Sequence, residues 1–173
     1  MLSLIDILSL IGVPVLVALN GFFVAAEFSL VTVRWTRVEE LVEHGKCGAI
    51  AVRDAVEKLD DAIAATQLGI TFASLALGWI GEPALGHIVE PLFARVPTPW
   101  GVAATHAMAV AVSFLLITFL HVVLGELAPK AIALQRADDV ALIVSGPLLV
   151  FGRVFRPFIR FMNGSGNWVV RQL

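Results

Sequence analysis

Residues 101–124 read GVAATHAMAVAVSFLLITFLHVVL and contain no Asp, Glu, Lys or Arg. An uninterrupted apolar run of about 18 residues or more predicts a transmembrane helix. Two further apolar stretches lie upstream, at 4–33 and 62–80. Of the 173 residues, 58% are apolar and 15% charged, against about 45–50% and about 25% in soluble domains. The composition therefore excludes an ordinary cytosolic enzyme, a disordered tail and a nucleic-acid binder, and it predicts a single all-α membrane domain.

The three apolar stretches divide the chain into spanning helices and flanking segments. Between stretches one and two, apolar residues recur every three or four positions among charged ones, with a break at His44-Gly45-Lys46. This pattern predicts amphipathic helices at a membrane surface, and beyond Pro129 the sequence predicts an arginine-bearing helical hairpin at one interface. The predicted segments are helix one at 1–33, a cytosolic-side amphipathic segment at 34–61, helix two at 62–81, an outer loop at 82–100, helix three at 101–128 and a juxtamembrane helical region at 129–173.

The distribution of basic residues predicts the orientation. Five of the twelve Lys and Arg residues lie between stretches one and two, one lies between stretches two and three, and six follow stretch three. The positive-inside rule then places the N-terminus outside and the C-terminus in the cytoplasm of a multi-pass plasma-membrane protein. The net charge of -2 gives no reason to expect nucleic acid as a partner, and the single cysteine, Cys47, excludes a disulfide within one chain.

Glu126 is the most informative polar residue of the membrane stretches, because it stands between Gly125 and Pro129 at the inner end of helix three. Proline lacks a backbone N–H and clashes with the carbonyl group four residues earlier, so it breaks the helix and frees backbone oxygens. A carboxylate beside free carbonyl groups outlines a site for a hard cation. The alternative is a structural carboxylate at a helix end, paired with Lys130.

Helices one and two carry further polar side chains that are candidates for the same site. Hydroxyl and amide groups within a membrane either bind an ion or bond neighbouring helices together, and both interpretations stay open. In helix one, Glu27 has a structural alternative as the partner of Arg34 or Arg37. The small residues of helix two permit close approach of a second copy. The candidates are Thr66, Thr71 and Ser74 as ligands, with Asn20, Glu27, Gln67 and Pro129 as ion-path or structural residues, and the small residues are Gly69, Ala73, Ala76 and Gly78.

The sequence does not predict an enzyme. It contains no HExxH, GxSxG, GxGxxG, P-loop or CxxC motif. Ser113 and His121 form the one loose nucleophile–base pair, but eight residues of helix separate them by about 12 Å along the axis.

Four motifs, in this order along the chain, resemble the transmembrane domain of the cyclin M/CorC family of magnesium transporters. The resemblance is strongest to the bacterial magnesium-efflux branch of that family. The four motifs are NGFFVAAEF at 20–28, QLGIT at 67–71, LGWIGEP at 77–83 and HVVLGELAPK at 121–130. The resemblance covers nearly the whole chain. In that branch a pair of nucleotide-binding CBS modules and a small C-terminal domain follow, so ATP is expected to act only through modules that this sequence does not contain.

The resemblance implies three transmembrane helices, a homodimer and an inward-facing acidic cavity. There a largely dehydrated magnesium ion would meet serine and asparagine side chains, the glutamate of the Gly-Glu-x-x-Pro-Lys motif and nearby backbone oxygens. Glu126 matches that glutamate, and Gly125 contributes the adjacent backbone. Many relatives have Phe-Ser-x-Ser-Glu in helix one and Gly-Asn-Asn in helix two, whereas this chain has FVAAE at 23–27 and GIT at 69–71. Thr66, Thr71 and Ser74 are the expected substitutes.

Two functional hypotheses follow. The first is magnesium transport across the membrane in the export direction, with sodium as the counter-transported ion. The second is a membrane anchor and dimerisation module for a cytosolic region that senses a nucleotide or an ion. The first is favoured, because an intramembrane carboxylate beside a helix break is a needless cost in a pure anchor.

Overall fold

The structure is a computed structural model that describes the backbone of residues 4–93 and 101–172. Side chains are described for 11–81 and for 106–172 apart from 167, 169 and 170. Every regular element in this part of the chain is a helix, which confirms the all-α class. Residues 1–3, 94–100 and 173 lie outside the described residues. Of the outer loop predicted at 82–100, residues 82–93 belong to a helix instead.

Three helical segments are long and apolar enough to cross a membrane, as predicted: Ile11–Thr32, Leu59–Gly81 and His106–Gln135. They belong to a longer series of helices. The elements are α1 (Leu4–Thr32), α2 (Trp35–Glu43), α3 (Ala49–Glu57), α4 (Leu59–Phe93), α5 (Gly101–Leu120), a π-helix (His121–Leu127), α6 (Ala128–Gln135), α7 (Ala137–Val154) and α8 (Arg156–Val170).

Some helix ends differ from the sequence-based boundaries. Helix two was expected at 62–81, but α4 begins at Leu59 and continues to Phe93. Asp60 and Asp61 lie in its first turn, where carboxylates interact favourably with the helix dipole, so the helix starts before the apolar run. The segment after Pro129 is also not an antiparallel hairpin. Instead, α7 and α8 meet at 82° around Phe155, and we call this corner the elbow.

The third span continues past the Gly-Glu-x-x-Pro-Lys motif to Gln135, beyond its expected end at residue 128. Its winding changes from α to π over His121–Leu127 and returns to α at Ala128. Pro129 lies in the first turn of α6, where the absence of its N–H is tolerated. The proline therefore begins a new α-helical segment of the same span instead of ending the span.

The main core lies where α1, α4 and α7 meet, and it includes the buried side chains of Phe23, Leu68 and Leu148. The Phe23 ring fills the space above Gly69, since a Cβ atom at that glycine would lie 2.5 Å from the ring carbons. Ala73 on the same helix is 1% exposed. Gly69 and Ala73 are therefore used inside the chain and do not form a free face for a second copy.

The charged segment after α1 folds into the short helices α2 and α3, and the turn between them contains the predicted break at residues 44–46. Val38 and Val52 are fully buried against the core. Arg37 binds Glu40 at 2.6 Å and Asp138 at 2.8 Å, which joins α2 to the start of α7. A hydrogen bond and the positive charge of Arg37 hold the pKa of the Glu40 carboxyl below its usual value.

Candidate ion-binding site at the π-helix

Asn20 of α1 connects the first span to the π-helix. Its side-chain amide Nδ2 donates a hydrogen bond of 2.9 Å to the backbone carbonyl oxygen of Gly125. The asparagine is 2% exposed. Because an amide buried among apolar helices is costly without partners, this bond fixes the side chain and leaves its carbonyl oxygen Oδ1 to face α4.

Close backbone packing makes this bond possible. A Cβ atom at Gly125 would lie 3.0 Å from Cδ2 of His121 and 3.4 Å from Nδ2 of Asn20. At the next residue of α1, a Cβ atom at Gly21 would lie 2.9 Å from Cγ of Pro129. The two glycines thus let α1 approach the π-helix and the start of α6, and a larger side chain at either position would push them apart.

Ser74 of α4 completes a group of polar side chains around Asn20. Its hydroxyl donates to Oδ1 of Asn20 at 3.3 Å and lies 3.5 Å from Nε2 of His121. Three separate spans therefore meet at this group. We call Asn20, Ser74, His121 and the Gly125 carbonyl the polar junction.

The other candidate side chains of α4 lie apart from the polar junction. Thr66 is fully buried, and its hydroxyl donates to the backbone oxygen of Ile63 at 2.7 Å. The Thr71 hydroxyl donates to the backbone oxygen of Gln67 at 2.8 Å, and both of these residues are exposed. Serine and threonine in a helix interior commonly bond back to the carbonyl group three or four residues earlier, and here that bond occupies both threonine hydroxyls.

Glu126 follows Gly125 directly, but its side chain is exposed on the surface of the chain. It forms no ion pair with Lys130, although this pairing was the structural alternative. The Lys130 ammonium lies 4.4 Å from the centroid of the Phe28 ring, in a cation–π arrangement. The carboxylate is therefore not held by a partner within the described part of the chain.

Glu27 of α1 is half-buried and lies within the electrostatic influence of Lys130. It does not pair with Arg37, which binds Glu40 and Asp138 instead. Among the described residues, no three His, Cys, Asp or Glu side chains lie close enough together to hold a metal ion. An ion at the π-helix would therefore depend on neutral oxygens supplemented by one carboxylate.

The polar junction presents oxygen atoms of the kinds that hard cations bind: an amide oxygen, a hydroxyl and a backbone carbonyl group. A π-helix is rare and is frequently found at functional sites, because it displaces backbone groups from their α-helical partners. Sequence reasoning placed Ser74 and Gly125 in one candidate site and named Asn20 as an ion-path or structural residue, but it did not predict that Asn20 joins them by hydrogen bonds. The available signal was an asparagine in the middle of an apolar helix, which requires a partner in another helix.

Comparison with known proteins found one matching family model and several similar bacterial proteins. Residues 11–173 match the sequence model described as the cyclin M transmembrane N-terminal domain. The chain is 48% identical over 162 residues to the UPF0053 protein YhdT of Bacillus subtilis, covering 94% of this chain and 35% of that protein. It is 41% identical over 167 residues to YugS of the same organism, covering 95% and 38%.

A mycobacterial relative gives a similar result. The uncharacterized protein Rv1841c of Mycobacterium tuberculosis is 38% identical over 167 residues, covering 96% of this chain and 47% of that protein. The chain therefore spans between about a third and a half of the length of these relatives.

Proposed function

Because the chain belongs to the cyclin M family of transmembrane domains, we propose that it carries magnesium ions across the membrane. Its three apolar helices make it a multi-pass membrane domain, which is consistent with membrane-associated transport of a metal ion. The observation that carries the proposal is the polar junction, where an amide oxygen, a hydroxyl and a π-helical carbonyl from three spans converge. A pure membrane anchor has no need of this arrangement.

The hydroxyl proton of Ser74 has two possible acceptors, and this permits an exchange on ion binding. In the structure the hydroxyl donates to Oδ1 of Asn20, and Nε2 of His121 lies 3.5 Å away on the other side. If the hydroxyl turns to donate to His121, Oδ1 of Asn20 and the lone pairs of Ser74 are released towards a cation. His121 then acts as a positioning residue and needs the tautomer with its proton on Nδ1.

Magnesium demands nearly octahedral oxygen coordination at about 2.0–2.1 Å and loses water reluctantly. We propose that Asn20, Ser74 and the backbone around Gly125 replace part of its hydration shell, and that Glu126 supplies the negative charge. An exposed carboxylate at this depth is costly in hydrocarbon. It is therefore proposed to face a water-filled cavity lined by a second copy of the chain in a homodimer.

The proposed contact surface for this assembly includes apolar side chains that are exposed on the third span. They include Phe114, Leu115, Phe119, Leu124 and Leu127. The proposed orientation has the N-terminus outside and the C-terminus in the cytoplasm of the plasma membrane, because basic residues are concentrated in the segments on one side. Export, with sodium as the counter-ion, is the proposed direction and coupling.

The proposal is tested by magnesium flux into vesicles that contain the purified chain and a trapped magnesium-sensitive dye. Replacement of Glu126 by Gln keeps the shape of the side chain and removes its charge, so we expect flux to fall by a factor of about ten or more. The matched control, Glu57→Gln, removes a carboxylate on α3 outside the span and is expected to leave flux unchanged. Full flux in the Glu126 variant would contradict the proposed role of the carboxylate. Absence of flux in the unaltered chain would favour the anchor hypothesis.

A further inference from the structure

A second site lies at the elbow, away from the polar junction. A cavity of about 240 Å³ opens between the start of α4 and the corner where α7 meets α8. This volume far exceeds the roughly 10–15 Å³ that one water molecule requires. Its floor is formed by buried core side chains, including Ala65, Leu148 and Ile159.

The rim of the cavity is predominantly cationic. Arg153 comes from the last turn of α7, whereas Arg156 and Arg160 come from the first turns of α8. The 82° bend at the elbow is the reason that arginines from two helices border one cavity. Lys58 adds a fourth positive charge, and Asp54 and Asp61 reduce the net charge of the lining to +2.

The four cations have no ion-pair partner within 4 Å among the described side chains. By contrast, Asp61 already accepts a hydrogen bond of 3.3 Å from the side-chain amide of Asn163. Guanidinium groups bind phosphate oxygens through paired hydrogen bonds. The unpaired arginines around an apolar floor therefore fit a ligand that carries a phosphate group.

An adjacent apolar groove indicates what else the ligand contains. The groove runs along α8 between Phe161 and Trp168, and Arg160 borders both the groove and the cavity. Phe161 is 72% exposed and Trp168 is 65% exposed. A helix that exposes aromatic side chains on one face and arginines on another is typical of a membrane interface. The surface therefore continues from the cationic rim of the cavity to the apolar groove of α8.

We propose that the elbow cavity binds the phosphate headgroup of an anionic phospholipid, whose glycerol and first acyl carbons lie along the α8 groove. Basic pockets between membrane helices are suited to such headgroups. The continuity of cavity and groove through Arg160 favours a lipid over a free phosphate ion. The proposal is independent of the magnesium transport proposed above.

The experiment measures thermal unfolding of the purified chain in neutral detergent with added dioleoyl phosphatidylglycerol, dioleoyl phosphatidylcholine or inorganic phosphate at equal ionic strength. We expect phosphatidylglycerol to raise the unfolding temperature well above the other two additions. Replacing both Arg156 and Arg160 by Gln is expected to weaken the apparent affinity about tenfold or more, because each guanidinium group supplies charge-assisted hydrogen bonds to phosphate.

The matched control replaces Arg136 and Arg171 by Gln, which removes the same charge from exposed positions outside the cavity, and it should bind like the unaltered chain. Native mass spectrometry of retained phospholipid provides a second readout. If the double variant fails to fold, the single variant Lys58→Gln takes its place. Equal stabilisation by phosphatidylcholine or by inorganic phosphate would overturn the proposal. An equal loss of affinity in the control would also overturn it, since it would indicate general surface electrostatics.

Discussion

The side-chain amide of Asn20 and the backbone carbonyl of Gly125 are joined by a hydrogen bond of 2.9 Å across 105 positions of sequence. The bond links the first span to the π-helix of the third. It gives the buried amide of Asn20 an acceptor. It also gives the Gly125 carbonyl oxygen a donor within the segment where the α-helix changes to a π-helix. The stability of the domain and the geometry of the proposed ion site therefore depend on the same contact.

Loss of the Asn20 amide should lower both stability and transport. Asn20→Ala leaves the Gly125 carbonyl without its side-chain donor, and an unsatisfied buried polar group costs about 1–3 kcal/mol. We expect a lower unfolding temperature in detergent together with reduced magnesium flux. If the variant keeps normal stability and flux, the bond is not structurally important.

The Ser74 hydroxyl should matter for transport more than for folding. Ser74→Ala removes the group between Asn20 and His121, and we expect magnesium flux to fall severalfold. The unfolding temperature should decrease less than in Asn20→Ala, because only the longer 3.3 Å bond to Oδ1 is lost and the 2.9 Å bond to Gly125 remains. Ser113→Ala is the matched control, because Ser113 is buried in α5 and its hydroxyl donates to the backbone oxygen of Ala109, in its own helix, at 2.8 Å. An equal decrease in flux in both variants would show that the effect is not specific to the polar junction.

An added methyl group should disrupt the contact between α1 and the π-helix. Gly125→Ala places Cβ 3.0 Å from the His121 ring of the same π-helix, and 3.4 Å from both Nδ2 of Asn20 and the backbone oxygen of Val17 in α1, and overpacking of this kind costs about 1–3 kcal/mol. Gly78→Ala is the control, because no other described side chain or neighbouring helix lies within 4 Å of its Cβ position and alanine favours a helix. We expect thermal unfolding to show destabilisation only in the first variant, and equal unfolding temperatures would contradict the close packing.

The contact between Arg37 and Glu40 should give a small pH dependence of stability. Arg37 lowers the pKa of Glu40 below 4.5, so the pair stabilises the fold above that value and the contribution disappears as pH falls through the lowered pKa. Both side chains are exposed, and salt screens the interaction. Glu40→Gln should reduce the unfolding temperature slightly at neutral pH and low salt, but not at acidic pH. Glu43→Gln, on an exposed glutamate of the same helix, is the control.

The only cysteine provides a test of orientation without any substitution. Cys47 is exposed in the turn between α2 and α3. We expect a membrane-impermeant maleimide to label it in inside-out vesicles but not in intact cells, with lysed cells as the positive control. Labelling in intact cells would reverse the proposed topology.

The spans were predictable because their signal is local, whereas the polar junction was not. Apolar length and charge distribution are sufficient to find three membrane helices. The hydrogen-bond acceptor of a hydroxyl group depends on the side-chain rotamer and on the neighbouring helices. Thr66 and Thr71 donate within their own helix, whereas Ser74 donates to Asn20 of another helix. Likewise, Gly69 suggested contact with a second copy, but it receives the Phe23 ring of α1. Such choices are set by tertiary packing, which spacing along one helix does not encode.

The π-helix also sets the rotational phase of the third span. A wider turn takes in an extra residue, so the residues after Leu127 point in directions different from those that uninterrupted α winding would give them. This is how α5 can pack on α4 while α6 packs on α1. Regular α winding of the same residues would rotate α6 by about 100° and turn Pro129 away from Gly21, whereas α winding after deletion of one residue such as Val122 would leave α6 facing nearly the same direction. The number of residues in this segment and its winding are therefore matched to each other.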